Sequence, residues 1–102
     1  MIRHIVMWDV RGATAEQKRG NIELLQRCFR GLRGHIPGLL HLEVGVDASA
    51  VDYACDVVLD STFESWEALA AYASHPEHLR VRDALNGIRI ARHQVDFEVW
   101  AD

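Results

Sequence analysis

The sequence is poor in cysteine and in positive charge, and it has no long hydrophobic run. Its 102 residues include only two cysteines, Cys28 and Cys55, whose number and spacing fit neither a disulfide-linked scaffold nor a zinc site. No stretch approaches the roughly 18 apolar residues of a membrane-spanning helix. No apolar N-terminal segment resembles a signal peptide. We therefore expect a cytoplasmic protein with no membrane association, in which both thiols act as small buried hydrophobes.

A basic surface is also missing. The net charge is −4, whereas a nucleic-acid-binding protein needs a basic face that displaces counterions from phosphates. The chain is therefore not expected to bind nucleic acid. Arg82 and Arg89 either hold a substrate carboxylate or, as we expect, pair at the surface with Asp83 or Asp96. The clustered arginines, which acids interrupt, are Arg27, Arg30, Arg33, Arg80, Arg82, Arg89 and Arg92.

The length and composition indicate one small folded domain. A chain of this length predicts a single domain over residues 1–102, with a thin core. Hydrophobic residues make up 49% of the sequence, which is enough for folding and excludes a disordered tail.

The first part of the chain predicts a strand followed by a helix. Residues 2–10 are rich in β-branched and aromatic side chains, and both faces of this strand are apolar enough to need a cover. Thr14 and Gln17 are spaced as a capping box, which predicts a helix from there to about Arg33. Gly34 suits the left-handed position that ends a helix. The apolar stripe of this helix consists of Ile22, Leu25, Phe29, Leu32 and Ile36.

The rest of the chain predicts three more strands and a broken helix. Alternating side chains indicate strands over residues 39–47, 55–63 and 91–100. Ser65 can cap a helix that Pro76 interrupts and restarts, because proline is tolerated only in the first turn of a helix. In the first of these strands, the predicted buried face holds Leu40, Leu42, Val44 and Val46.

The order of the elements predicts the fold class and a partner. The order β-α-β-β-α-β matches the ferredoxin-like α+β unit, whose helices cover one face of an antiparallel sheet. The other face carries Ile5, Met7 and Val58 and therefore needs a second cover. We predict a homodimer that forms through this open sheet face.

His78 and Tyr72 are the candidate catalytic residues. His78 lies on the apolar helix face of Val81 and Leu85, and a histidine can accept a proton at physiological pH. Tyr72 could orient His78 or polarise a substrate carbonyl. The alternatives are a core histidine that caps the helix break and a core tyrosine bonded to the backbone. His4 is either a polar pocket group or a buried histidine bonded across the core.

Signatures of other chemistries are weak. His75 and His78 could share a metal, but no third ligand has a diagnostic spacing, so we predict no metal site. Ser61 lacks the glycine frame of a nucleophile elbow. Because no phosphate loop or dinucleotide fingerprint occurs, we expect no cofactor.

Five segments together resemble the stress-responsive A/B barrel (Dabb) family. They are residues 1–8 (MIRHIVMW), 36–38 (IPG), 42–45 (LEVG), 63–65 (FES) and 72–78 (YASHPEH). The resemblance covers essentially the whole chain. It implies a homodimer in which two sheets pack into a dimeric α+β barrel.

A more distant resemblance, to the plant olivetolic acid cyclase, implies an active site. That enzyme closes a linear tetraketide by aldol condensation in a pocket between sheet and helices, using a histidine–tyrosine pair. The pair matches His78 and Tyr72, and a further pocket histidine matches His4. The ligand pocket implied here is lined by His4, Val6, Trp8, Ile22, Leu25, Leu59, Ser61 and Val81.

The chain departs from that enzyme where the pocket should hold apolar side chains, which predicts a smaller or more polar pocket. The expected function is the binding or conversion of a small carbonyl, polyketide-like or aromatic acid by cofactor-free cyclase or lyase chemistry. The alternative is a non-catalytic, stress-related dimer that binds a ligand or is purely structural. The departing residues are Arg82, Arg89, Arg92 and Gln94.

Overall fold

The computed structural model describes residues 1–100 as one antiparallel sheet of four strands with three helices. The strands are Ile2–Val10 (β1), Leu39–Val46 (β2), Val57–Phe63 (β3) and Arg89–Glu98 (β4), and the helices are Ala15–Arg30 (α1), Trp66–Ser74 (α2) and Pro76–Ala84 (α3). The sheet order is β2-β3-β1-β4. This is the ferredoxin-like α+β arrangement, and the predicted fold class is confirmed. Within the described residues, no helix is long and apolar enough to span a membrane.

The core lies between one face of the sheet and the helices. Buried and more exposed residues alternate along β1, so that Val6 is fully buried while its neighbour Met7 is 37% exposed. From α1, Phe29 stacks on Trp8 with ring centroids 5.6 Å apart. Every second side chain of β1 points toward the helices, where the apolar stripe of α1 packs on it. The helices therefore cover one face of the sheet.

Helix α1 begins as predicted and ends earlier. The Thr14 hydroxyl accepts the Gln17 N–H at 3.1 Å, as a capping box requires. The helix stops at Arg30 rather than near Arg33, because the backbone hydrogen bonds after Gly31 run three residues back instead of four. Gly34 has the expected left-handed conformation, with φ +79°.

Strand β2 is shorter than predicted and only half of its predicted buried face is buried. It spans Leu39–Val46 rather than residues 39–47. Leu42 and Val44 are buried, but Leu40 and Val46 are exposed by 55% and 45%. The register shifts between Leu39 and His41, which takes Leu40 out of the alternation. Val46 is the last residue of an edge strand.

Strands β3 and β4 begin two residues away from their predicted starts. β3 starts at Val57 instead of residue 55, and β4 starts at Arg89 instead of residue 91. Ala91 adopts φ +53°, and the register of β4 against β1 shifts at this point. The shift is a β-bulge, which lengthens β4 and accommodates one extra residue.

The two faces of β4 have reversed polarity. Val95 and Phe97, which pair with Ile5 and Arg3, lie on the open face of the sheet and are 57% and 42% exposed. The polar residues of β4 pair with the buried positions of β1 and face the helices. Most of these polar side chains are exposed, so the helices do not fully cover this edge of the sheet.

Candidate functional site

The break at Pro76 shapes the local backbone of the site. Helix α2 ends at Ser74 and α3 begins at Pro76, as predicted. His75 caps α3, since its Nδ1 accepts the Glu77 N–H at 3.1 Å. The imidazole is therefore the N-cap acceptor of α3, a position where serine, threonine, aspartate or asparagine is more common. Within residues 1–100, no three His, Cys, Asp or Glu side chains are grouped closely enough to hold a metal ion.

The same break determines which nitrogen of His78 carries its proton. Because proline has no N–H, the Tyr72 carbonyl accepts the His75 N–H at 3.1 Å instead of a bond from Pro76. The Ala73 carbonyl lies 3.1 Å from His78 Nδ1. A carbonyl can only accept, so Nδ1–H donates, and in the neutral ring the lone pair is on Nε2.

His78 and Tyr72 lie side by side on the wall of a cavity of about 230 Å³. Their ring centroids are 4.3 Å apart. His4 lines the same cavity from the sheet side, so the three residues singled out from the sequence come together in one place. The lining consists of His4, Leu69, Ala70, Tyr72, Ala73, His78, Arg92, Gln94 and Asp96.

Tyr72 is buried, but its hydroxyl lacks a protein partner. The ring packs on Phe63 and His4 with centroid distances of 5.1 and 6.2 Å, and the residue is only 5% exposed. Among residues 1–100 no hydrogen bond involves the hydroxyl, and no unpartnered polar side-chain atom is fully buried, so this oxygen reaches solvent. Burial raises the pKa of Tyr72 to about 12, against the opposing influence of Arg89 and Arg92. The phenol is therefore a hydrogen-bond donor at neutral pH.

The surroundings of His78 favour its neutral form. Burial is the main cause that lowers the pKa of His78 below its ordinary value of 6.5. The hydrogen bond to Ala73 acts in the opposite direction, while the positive charges of Arg89, Arg82 and Arg92 lower the pKa further. A neutral imidazole with a free Nε2 is a competent proton acceptor at physiological pH.

His4, on β1, is hydrogen-bonded to the first of three linked polar side chains on the inner face of β4. Its Nδ1 lies 2.5 Å from Asp96 Oδ1, and the other carboxylate oxygen accepts the Gln94 amide at 2.9 Å. Gln94 in turn accepts bonds from the Arg92 guanidinium at 3.1 and 2.5 Å. The sequence reasoning missed Asp96 as the partner of His4, although its position in the alternation of β4 was a usable signal. His4 is thus both a cavity residue and a bonded, buried histidine.

The other predicted pocket residues lie outside this cavity. Packed side chains such as the Trp8–Phe29 stack fill space between the sheet and α1, whereas this cavity opens beside α2 and β4. Six of the seven are buried in the core, namely Val6, Trp8, Leu25, Leu59, Ser61 and Val81, and Ile22 packs against the core partly exposed.

The expected surface pairing of two arginines was wrong. Neither Arg82 nor Arg89 forms an ion pair with Asp83 or Asp96. Asp96 is engaged by His4 instead. The guanidinium carbon of Arg89 lies 4.9 Å from the centroid of the Trp8 ring, a cation–π contact that replaces an acidic partner.

We expect that Asp96→Ala destabilises the protein by about 1–3 kcal/mol, because it leaves the buried His4 donor without its acceptor. For a chain of this size each kcal/mol lowers the melting temperature by about 4–8 °C. Asp96→Asn keeps an acceptor oxygen and should lose less. The matched control is Glu43→Ala, which removes the carboxylate of an exposed pair, 3.8 Å from His41. Equal melting temperatures for Asp96→Ala and the control would contradict this role for Asp96.

The sequence matches one family model. The model described as Stress responsive A/B Barrel Domain aligns with residues 2–99. No curated protein matches the sequence significantly.

Solved structures with the same architecture include both uncharacterised proteins and an enzyme. A dimeric ferredoxin-like protein of unknown function from Bacteroides fragilis is 25% identical, with a TM-score of 0.85 over 96% of this chain and 95% of that one. A dimeric ferredoxin-like protein of unknown function from Jannaschia sp. is 27% identical, with a TM-score of 0.76 over 96% and 98%. Hydroxynitrile lyase from Passiflora edulis is 14% identical, with a TM-score of 0.80 over 99% and 94%, a likeness of fold alone.

Proposed function

This chain belongs to the stress-responsive A/B barrel domain family, and we propose that it is a single-domain homodimer that binds a small carbonyl compound and moves a proton on it without a cofactor. One observation carries the proposal. The free Nε2 of His78 and the unpartnered hydroxyl of Tyr72 belong to rings 4.3 Å apart on the wall of one cavity. An acceptor and a donor of protons, side by side in a partly dry site, are what enolisation of a carbonyl compound requires.

The chemistry follows from the two protonation states. Nε2 of His78 accepts a proton from the carbon next to the substrate carbonyl, and the electron pair of the broken C–H bond moves toward the carbonyl oxygen. The Tyr72 O–H donates a hydrogen bond to that oxygen as negative charge develops on it. Since the pKa of Tyr72 is about 12, the phenol keeps its proton throughout. The resulting enolate can take the proton back or attack a second carbonyl in a cyclase-type or lyase-type reaction.

The comparisons support this proposal at the level of the scaffold. A fold of this kind carries lyase chemistry in the hydroxynitrile lyase from Passiflora edulis. The fold alone does not fix a reaction, so the proposal depends on the cavity and its side chains.

Hydrogen–deuterium exchange on a probe compound tests the proton transfer even though the physiological substrate is unknown. The protein is incubated in D₂O with α-ketobutyrate or acetoacetate, and proton NMR follows the loss of the hydrogens next to the carbonyl. We expect wild-type protein to accelerate the exchange above the rate in buffer alone. Exchange at the buffer rate, with a probe that calorimetry shows to be bound at saturation, contradicts the proposed chemistry.

The pH dependence of this exchange should identify the base. Because the pKa of His78 is lowered below 6.5, the imidazole is neutral and active at pH 7, and activity falls only as the pH drops through that lowered pKa. We expect a plateau from neutral pH upward and a midpoint on the acid side of 6.5. A midpoint above pH 7 would exclude His78 as the base. Thermal stability should also fall below pH 6.5, because the unfolded chain then binds the proton that the folded site disfavours.

A second candidate function is ligand binding without catalysis. The specific observation in its favour is the bonded series of His4, Asp96, Gln94 and Arg92, which holds one wall of the cavity in a fixed arrangement. Such a wall suits recognition of a polar ligand whether or not a reaction follows. Saturable binding with exchange at the buffer rate favours this alternative.

The open face of the sheet supports the homodimer. Met7, Val95 and Phe97 are exposed there, and Ile5 and Val58 are only partly covered by the chain itself. A group of exposed apolar side chains on one face of a sheet indicates an interface. The two bacterial relatives of 25% and 27% identity are described as dimeric, which is consistent with a second copy as the cover.

A further inference from the structure

Three arginines lie around the candidate site without an acidic partner. We refer to Arg82 on α3 and to Arg89 and Arg92 on β4 as the arginine rim. Arg92 lines the cavity directly, and Arg92 and Arg89 lie over the same ring, with guanidinium carbons 5.9 and 4.9 Å from the Trp8 centroid. The positive charges of all three arginines lower the pKa of His78, after the larger effect of burial. Within residues 1–100, none of the three forms an ion pair with a carboxylate.

Arg89 is held in place by aromatic rings rather than by an acid. Its guanidinium carbon lies 4.9 Å from the centroid of Trp8 and 5.8 Å from that of Phe29. The residue is half-buried, yet among residues 1–100 its side chain makes no hydrogen bond. A guanidinium fixed on a stacked aromatic pair keeps five N–H donors available at a defined position.

Within residues 1–100, two arginines form ion pairs with acids, and neither of them lies at the candidate site. Arg3 makes two bonds to Asp60 at 3.0 and 2.8 Å, and Arg80 makes two bonds to Glu77 at 2.9 Å. Both of these pairs are on the exposed surface. Arg89 is the half-buried member of the rim, and its pKa is lowered first by burial and then by the positive charge of the neighbouring Arg92.

We propose that the arginine rim binds a carboxylate of the substrate, so that the substrate class is a small keto acid rather than a neutral ketone. This inference rests on the proposed function in placing the reacting carbonyl at Tyr72 and His78. The fork of a guanidinium matches the two oxygens of a carboxylate. The negative charge of the ligand replaces the missing acid and relieves the repulsion within the rim.

The size and walls of the cavity agree with a small acid. Its volume of about 230 Å³ is below the range of about 300–1,000 Å³ that is typical for drug-sized ligands. Gln94 and Asp96 make its β4 wall polar, and Asp96 is already engaged by His4. Leu69, Ala70 and Ala73 offer apolar contacts to a short carbon chain, and a keto acid of a few carbons could also use the rim and the Tyr72 hydroxyl.

The first test compares a keto acid with its uncharged methyl ester on the unaltered protein. Calorimetry should give saturable binding of α-ketobutyrate, and its methyl ester should bind at least tenfold more weakly. Inorganic phosphate is the control for unspecific attraction of anions. Equal affinity for acid and ester overturns the proposal, and so does phosphate binding as tight as that of the acid.

Variants of the rim then locate the carboxylate. We expect Arg89→Gln and Arg92→Gln each to weaken binding of α-ketobutyrate by about 10- to 100-fold, because each removes a charged hydrogen bond. Arg89→Lys keeps the charge and the packing stem, and should fall between these values and wild type. The matched control is Arg80→Gln, which removes a surface arginine already paired with Glu77 and should bind like wild type. Wild-type affinity in both folded glutamine variants overturns the assignment.

The experiments distinguish failure of the carboxylate site from failure of the proposed proton transfer. His78→Ala should abolish the acceleration of deuterium exchange while the affinity for α-ketobutyrate stays within about threefold of wild type. Arginine-dependent binding without any exchange in wild type would retain the carboxylate site and reject the proton transfer. Exchange of the ester at the same rate as that of the acid would retain the proton transfer and reject the carboxylate site.

Discussion

Replacing His78 by alanine is expected to lower the protein-catalysed exchange rate of α-ketobutyrate by ~10²–10⁴-fold, the usual contribution of one positioned acid–base group. Nε2 carries the basic nitrogen lone pair of His78, because the Ala73 carbonyl holds the proton on Nδ1. His78→Gln is the sharper variant, since its amide can still donate to Ala73 but cannot act as a base at neutral pH. Both variants should lose the same activity.

Tyr72→Phe should have a smaller effect on the same rate, because it removes one hydrogen-bond donor and leaves the base in place. His41→Ala is the control, an exposed histidine on the strand at the opposite edge of the sheet from β4. The structural alternative makes a different prediction. If His78→Ala and Tyr72→Phe each lose several degrees of melting temperature while wild type binds no keto acid, the pair is structural and the enzymatic proposal should be dropped.

Met7→Glu is expected to convert the proposed homodimer into a monomer at micromolar concentration. Met7 lies at the centre of the open face, on the strand between β3 and β4. A carboxylate placed in an apolar interface loses hydration worth several kcal/mol without gaining a partner. Since 1.4 kcal/mol is a factor of ten, the dimer dissociation constant should rise by at least about 100-fold. Light scattering coupled to size exclusion measures the change.

Val51→Glu is the control for the dimer test. Val51 is 40% exposed, as Met7 is at 37%, but it lies in the loop after β2 rather than on the sheet. This variant should remain dimeric and soluble. A stable Met7→Glu dimer, or a wild-type monomer that is fully stable in solution, would show that the open face is not covered by a second copy. If Met7→Glu is insoluble, Val95→Glu on the neighbouring strand serves as the second variant.

The elements that were predictable are those with a local cause. The strand at residues 2–10 and the restart at Pro76 both appear where the sequence placed them. The strand follows from side chains that alternate over consecutive residues, and the restart follows from the missing N–H of proline. The caps at Thr14 and Ser65 depend on hydrogen bonds across three residues. Each of these signals is contained within about one turn or one strand.

The candidate pair could be selected from the sequence, but its state could not. His78 and Tyr72 stood out as a polar group on an apolar face and a tyrosine before a helix break. Which imidazole nitrogen is free depends on the Ala73 carbonyl, which is available because of how the two helices turn at His75. The predicted pocket also named residues that lie in the packed core, for a related reason. The alternation along a strand identifies which side chains point inward, but only the packing of the folded chain decides which of these line a cavity.

By itself the sequence determined the order of elements, the ferredoxin-like α+β class and the apolar open face, because each is written in the periodicity of neighbouring residues. Only the tertiary structure decided that His4 meets Asp96 and that Arg89 lies on Trp8 without an acid. These contacts join the two ends of the chain, and they depend on the register of β4 against β1. That register shifts at a bulge where Ala91 adopts a left-handed conformation that no local pattern announced. A shift by one residue would reverse which side chains of β4 face the cavity, so the site depends on strand pairing that only the folded chain specifies.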